Sequence, residues 1–399
     1  MATAASDVSA SAVPAGPAHV AVVSFLASRA APTGGFWIAL AGGVALARAA
    51  ERRGARLGFG ASVAAMLETV AIIGPARFGI PLTQAASAPM LGRLEARGAG
   101  LIPQILACAA IRLLHNTATT AFFIWVIAGG LDAYAGTYDA IGRRLGIEVG
   151  TADALALTAA GLLAWAAFAS TVQVLVYRRG LRGWDAIASH AICIDRDMRG
   201  KRRSREARAA YHPRFDPRAV AVAATIGFIA LLSGTSWPLL GAVALALALA
   251  WIAARPEREP IKAGLAFAAI LAAGAAVFAL GGGLGLDEAA RRATRAALLV
   301  LVATWLRAAA GAEGLRQVFR LVLGRLRRIP AVPEAAQVLD EISSRSEGRL
   351  MDSGRSLADR LSGVRKRPAP FVDAVLAWVV AESERHSGRD QQVVEERGR

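Results

Sequence analysis

The chain has 399 residues, of which 55% are hydrophobic and only 19% charged, with a mean hydropathy of +0.43 and a formal net charge of +16. This composition excludes an ordinary soluble globular domain and points to the membrane. The positive excess sits in Arg clusters between apolar stretches and builds no basic face on a soluble domain, so it reads as positive-inside topology and excludes nucleic acid as a partner.

Residues 1–17, small and polar, read as a disordered lead-in without the basic n-region of a signal peptide. His19 to Ala30 is apolar but short and is broken by Pro32, Gly34 and Gly35, which suits an interfacial helix or a poor span. Phe36 to Ala50 follows and closes on Arg52, Arg53 and Arg56, marking a cytoplasmic end. Residues 57–92 are apolar but carry Glu68 and Arg77 and are interrupted at Pro75, Pro81 and Pro89. With basic residues at both ends they are expected to form a hairpin or a re-entrant pair of broken helices. Non-helical backbone at that depth survives only inside protein or beside a water-filled cavity.

Leu101 to Gly130 is the next span, Asp132 to Gly150 a polar loop with Tyr134, Tyr138 and Asp139, and Ala154 to Val176 a span back. The connection 177–217 holds eleven Lys or Arg against five acids and is the clearest cytoplasmic loop. Spans near 218–234 and 237–254 form a hairpin around Gly234 to Pro238. A second hairpin joins Ala263 to Leu280 and Ala289 to Ala309 through GGGLGL. Arg291, Arg292 and Arg295 then fall at the outer end of the last span, against the charge rule. From Ala310 the pattern becomes amphipathic: Leu315, Val318, Phe319, Val322 and Leu326 recur at helical spacing beside Arg316, Arg320, Arg325, Arg327 and Arg328. This describes a basic helix on the inner leaflet or against a partner, followed by a soluble tail of short helices.

The sequence therefore predicts an all-α, polytopic membrane bundle of about seven to nine hydrophobic segments. Its parts are residues 18–309 as the transmembrane domain and 310–399 as a cytoplasmic amphipathic helix and helical tail, in a bacterial inner membrane.

One apolar span carries an unusual set of polar residues. Gln104, Cys108, Arg112, His115, Asn116, Thr119 and Thr120 follow i, i+3, i+4 spacing and share one helix face. Such a stripe lines an aqueous path or pocket, with Arg112 as ligand for an anion or carboxylate, His115 as a titratable neighbour and Glu68 as counter-ion. The competing reading uses the 18 residues from Leu113 to Gly130, already enough to span. Arg112 then only snorkels at the boundary, with His115 and Asn116 bonded to neighbouring helices. Glu68 and Arg77 are either a site or a salt bridge that permits a broken helix. The run 193–205, with Arg199, Lys201, Arg202 and Arg203, reads as a contact for anionic lipid, as do Arg320 and Arg327.

Catalytic and cofactor motifs are missing: no GxxxxGK[ST], HExxH or GxSxG pattern occurs, and no cofactor is implied. Cys108 and Cys193 make no disulfide framework, and histidines at 19, 115, 190, 212 and 386 show no ligand spacing, so no metal site is expected.

Two stretches resemble the transmembrane T component of energy-coupling factor transporters: ALLVLVATWLRAAAGAEGLRQVFRLVLGRLRRIP, and LEARG with Ala96, Arg97 and Gly98. The resemblance implies a subunit that joins substrate-binding proteins to ATPases, with Arg97 as an ATPase contact and Met198, Arg199 and Gly200 as a degenerate second copy. Transport or a transport-associated role is thus the leading expectation. The alternatives are a membrane enzyme on a lipid or isoprenoid phosphate, using loop 196–208 with Asp195 and Asp197, and a scaffold that recruits a partner through its basic helix.

Overall fold

The computed structural model describes residues 15–31, 34–77, 81–189, 215–254, 258–344, 347–364 and 368–397. Its elements are α1 (Ala15–Ala30), α2 (Gly35–Arg53), α3 (Ala55–Ile73), a 3-10 turn (Pro75–Arg77), α4 (Pro81–Ala96) and α5 (Leu101–Phe122), which runs into a π-helical segment (Phe123–Ala128). There follow α6 (Leu131–Arg144), α7 (Thr151–Arg182), a short α8 (184–189), α9 (Pro217–Ser233), α10 (Trp237–Ala254), α11 (Arg258–Gly281), α12 (Leu286–Arg325), α13 (Val332–Ser344), α14 (Glu347–Ser362) and α15 (Pro368–Arg397). The fold is all-α, and no strand occurs among the described residues.

Six helices are long and apolar enough to cross a bilayer: α3, α5 with its π-helical extension, α7, α10, α11 and α12; the apolar α9 is slightly shorter. Large apolar side chains face outward from these elements, including Leu114 and Trp125 on the α5 rod, Phe168 on α7, Ile226 on α9, Ile252 on α10 and Val277 on α11. In water such a surface would be an aggregation liability, whereas in lipid it is the expected boundary. The apolar helices mark the chain as a multi-pass integral membrane protein.

Packing divides into two continuous regions. In the first, α12 packs against α9, α10 and α11. Its turn structure is locally determined: Asp216 caps α9 by accepting the Arg218 amide at 2.8 Å, and Pro217 occupies the first helical turn, where a missing N–H costs nothing. In the second, α1 and α2 are enclosed by α3, α4, α7, α13, α14 and α15. Small residues let these helices approach closely. A Cβ on Gly92 of α4 would sit 1.9 Å from the Ala47 carbonyl oxygen of α2, and one on Gly43 would sit 1.6 Å from the Tyr177 hydroxyl. α12 passes from the first region into the second by bending at Gly311, whose φ of 71° is open to glycine.

This arrangement corrects four expectations. The stretch 19–30 is not interfacial: Val20, Ala21, Val22 and Phe25 of α1 are fully buried, because a helix of 16 residues, too short to span, hides its apolar surface in protein instead. Residues 132–150 are not a loop throughout, since α6 occupies 131–144 with Tyr134 bonded to Thr158 at 2.7 Å. The basic segment 315–328 does not lie alone on a surface: its first part continues α12, with Leu315, Arg316 and Leu323 buried. The chain after 310 is helical as expected but does not stand apart as a tail, because α13 and α15 put Val338, Leu339, Leu376 and Val379 into the core that holds α1.

The expected hairpin within 57–92 is present as α3 and α4. Pro89 inside α4 has no N–H to give the Ala85 carbonyl, and the Ser62 hydroxyl of α3 donates to that carbonyl instead.

Candidate functional site

On α5 the fully buried residues are Gln104, Cys108 and Arg112, spaced four apart on the face turned to α4 and α7. The first half of the polar stripe is thus internal, with apolar faces such as that of Leu114 pointing outward. Its two ends differ from its middle. Gln104 donates to Glu95 at 2.6 Å and to the Ala99 carbonyl at 3.1 Å, clasping α5 to the end of α4. Glu95 also accepts from Arg182 at 2.6 Å, with Arg178 at 3.5 Å. Burial alone would raise the Glu95 carboxyl, but these hydrogen bonds and charges outweigh it and hold the group below the usual carboxylate range. At the other end His115 and Asn116 are half-buried, and Thr119 is exposed with its hydroxyl returned to the His115 carbonyl at 2.9 Å.

The middle is organised by one amide. Gln173 of α7 accepts at Oε1 from Arg112 Nη2 at 2.7 Å and from Cys108 Sγ at 3.4 Å, and its Nε2 donates to Ser87 Oγ of α4 at 2.7 Å. Ser87 passes its proton to the Thr83 carbonyl at 2.7 Å. Arg112 is 4% exposed, and among the described residues no carboxylate pairs with it. Its Nε has no hydrogen-bond partner, nor does Asn116 Nδ2, one turn further along α5. One turn before Ser87, Gln84 is wholly buried with neither end of its amide bonded. A buried cation balanced only by a neutral amide is costly, so this layer holds an unspent positive charge and several unused donors.

The expected acid for Arg112 is committed elsewhere. Glu68, 0% exposed, takes two hydrogen bonds from Arg316, Nε to Oε2 at 2.9 Å and Nη2 to Oε1 at 2.5 Å. Arg316 reaches on to Glu313 at 3.2 Å, and Glu313 and Asp340 hold Arg320 at 2.8 and 2.6 Å. A Glu68–Arg112 pair is therefore not formed, and Arg320, expected at the lipid surface, is engaged within the protein. The side chain of Arg77 lies outside the described residues, as do Arg199, Lys201, Arg202 and Arg203 with Asp195 and Asp197. Arg97 and Arg327 are exposed.

The three arginines that break the charge rule have local explanations. Arg295 is buried and donates to the Leu231, Val126 and Leu232 carbonyls at 2.6, 2.9 and 3.1 Å, closing the C-terminal end of α9 and part of the π-helical segment. Arg292 bonds Glu288 at 2.7 Å, and Arg291 pairs with Asp287 at 2.6 Å. They serve helix ends and acids of their own turn, so they carry no topology signal.

One cluster escaped the sequence reading. His19 of α1, Ser353 of α14, and Glu382 and His386 of α15 meet in the interior, with the two imidazole rings stacked at 4.4 Å. Glu382 and His386 are spaced i, i+4 on one helix, which was visible; their distance in sequence from His19 hid the third member. No sequence spacing links His19 to His386; the fold brings them together.

No protein-family model matches the chain, and neither a curated protein nor a solved structure is detectably similar to it. The resemblance to the T component accordingly rests on the two short stretches quoted above.

Proposed function

We propose that the protein is a transporter, or the membrane subunit of a transport complex, that holds an anionic solute at Arg112 between α4, α5 and α7. The observation that carries this reading is the uncompensated guanidinium: buried, bonded to one amide, and with its Nε left without a hydrogen-bond partner. An anion there would take charge-assisted hydrogen bonds from Arg112 and a neutral one from Asn116, one turn along α5, offsetting the burial cost of the cation. The reading places the Arg-rich ends near Arg52, Arg97, Arg182 and Arg327 on the cytoplasmic side of a bacterial inner membrane.

A subunit role has its own support. Arg325, Leu326, Arg327, Arg328 and Ile329 form an exposed basic and apolar edge just after the last span, suited to anionic lipid or to a cytoplasmic ATPase or other partner.

The test is reconstitution in liposomes with inorganic phosphate, sulfate or succinate inside and out. Wild-type protein is expected to exchange at least one of these and to gain thermal stability from it, and Arg112→Gln to lose both effects. Equal exchange and stabilisation by wild type and Arg112→Gln would overturn the assignment.

A further inference from the structure

We propose that His19, Glu382 and His386 form a binding site for one divalent transition-metal ion of the zinc class, which locks α1 to α15. The donor set is two imidazoles and a carboxylate, the combination that borderline cations such as Zn²⁺ select. All three are buried, at 0%, 2% and 5% exposure, and one ligating atom from each lies within 4.8 Å of the others. An ion with metal–ligand bonds of about 2.0–2.1 Å in tetrahedral geometry holds neighbouring ligands about 3.4 Å apart, so the cluster closes by little more than about 1 Å on loading.

The surroundings already orient these ligands. His386 Nδ1 lies 2.9 Å from the backbone carbonyl of Glu382, one turn back. The same nitrogen lies 3.8 Å from Glu382 Oε1, so the ring is held against the carboxylate with which it would share the ion. Glu382 presents its carboxylate from the same helix face, and the α1 ring stacks on His386 at an interplanar angle of 28°.

Ser353 marks the seat of the ion. Its hydroxyl donates to Glu382 Oε1 at 2.6 Å and accepts from His19 Nε2 at 3.2 Å, so one hydroxyl now bridges the two groups that a cation would bridge. The hydroxyl can stay as a fourth, oxygen ligand. Glu382 is also salt-bridged to Arg385, whose side chain still reaches solvent and can leave for water when a dication takes the carboxylate.

The site has a structural consequence. His19 and Ser353 are 334 residues apart in sequence, and the ion would join the first and last described helices around the core that α2 shares with them. Because such a site does not exist in the unfolded chain, its binding free energy adds to folding free energy. The inference does not depend on the anion reading at Arg112, since the two clusters share no residue.

The experiment uses the full chain in detergent. Elemental mass spectrometry is expected to find close to one zinc-class ion per chain. After stripping with a chelator, Zn²⁺ or Co²⁺ should restore a lost increment of melting temperature, and Co²⁺ should develop visible d–d absorption. His19→Gln and His386→Gln are expected to weaken affinity at least tenfold while Ser353→Ala weakens it less. A folded, stripped wild type whose melting temperature and spectrum ignore Zn²⁺ and Co²⁺ overturns the proposal, with no variant needed. So does metal binding that is the same in wild type and His386→Gln.

Discussion

Replacing Arg316 by Met tests the link between α3 and the second half of α12. The change leaves the Glu68 carboxylate fully buried and removes both of its hydrogen bonds, at 2.9 and 2.5 Å. Removing one partner of a buried pair costs about 3–5 kcal/mol, because the remaining charge is stranded. The third contact, from Arg316 to the exposed Glu313, adds no more than about 1 kcal/mol. At roughly 2–4 °C per kcal/mol, Arg316→Met should melt about 6–20 °C below wild type, toward the lower end for a chain of this length. The double variant Glu68→Leu with Arg316→Met strands no charge and should return to within about 1 kcal/mol of wild type. Intrinsic-fluorescence melting in one detergent compares all four species. The reasoning is refuted if Arg316→Met melts with wild type, or if the double variant loses the sum of the single losses.

Three further outcomes follow from other contacts. Arg295→Met orphans the Leu231, Leu232 and Val126 carbonyls and should cost about 3–5 kcal/mol, read as a fall in melting temperature; a neutral result would show that water or lipid replaces the guanidinium. Glu95 has a depressed folded-state value, so its stabilisation is complete above the ordinary carboxylate value of about 4.3 and is lost as pH falls through the lower folded value. Glu95→Gln should thus lower the melting temperature at pH 7 and shrink the gap to wild type below pH 4; a constant gap counts against the sign. Gly43→Ala drives a methyl into the Tyr177 hydroxyl and ring and should destabilise by about 1–3 kcal/mol, relieved in the Gly43→Ala, Tyr177→Ala double variant relative to the sum of the two single changes. An unrelieved double variant places the clash elsewhere.

How much of this was legible in the sequence varied with the range of the interaction. Hydropathy placed the hairpins at Gly234 to Pro238 and at GGGLGL, and the 3.6-residue period alone put Gln104, Cys108 and Arg112 on one face. These are local properties, fixed within a few turns. Partners were not local. Glu68 is 248 residues from Arg316, and the cations the sequence offered it, Arg77 and Arg112, were both closer in the chain than the arginine that binds it. The amphipathic helices after Pro330 show an apolar face but not what covers it, and α1 and α2 cover it where lipid or water was expected. Arg295 went against the charge rule in the sequence because its role, closing a helix end inside the bundle, depends on carbonyls far away in the chain.

The proposed transport of an anion at Arg112 requires that this layer, closed here, open to water in the working cycle. Cys108 reports it directly, because it shares Gln173 with Arg112 and is 1% exposed. In a Cys193→Ser background, Cys108 is the single thiol, and a membrane-impermeant maleimide applied to liposomes measures its exposure. The account predicts slow but complete labelling, with a rate that changes when the transported anion is present and a profile that shifts in Arg112→Gln. Cys108 that stays unlabelled in folded protein, while the denatured control reacts fully, would contradict it and leave the layer as permanent packing.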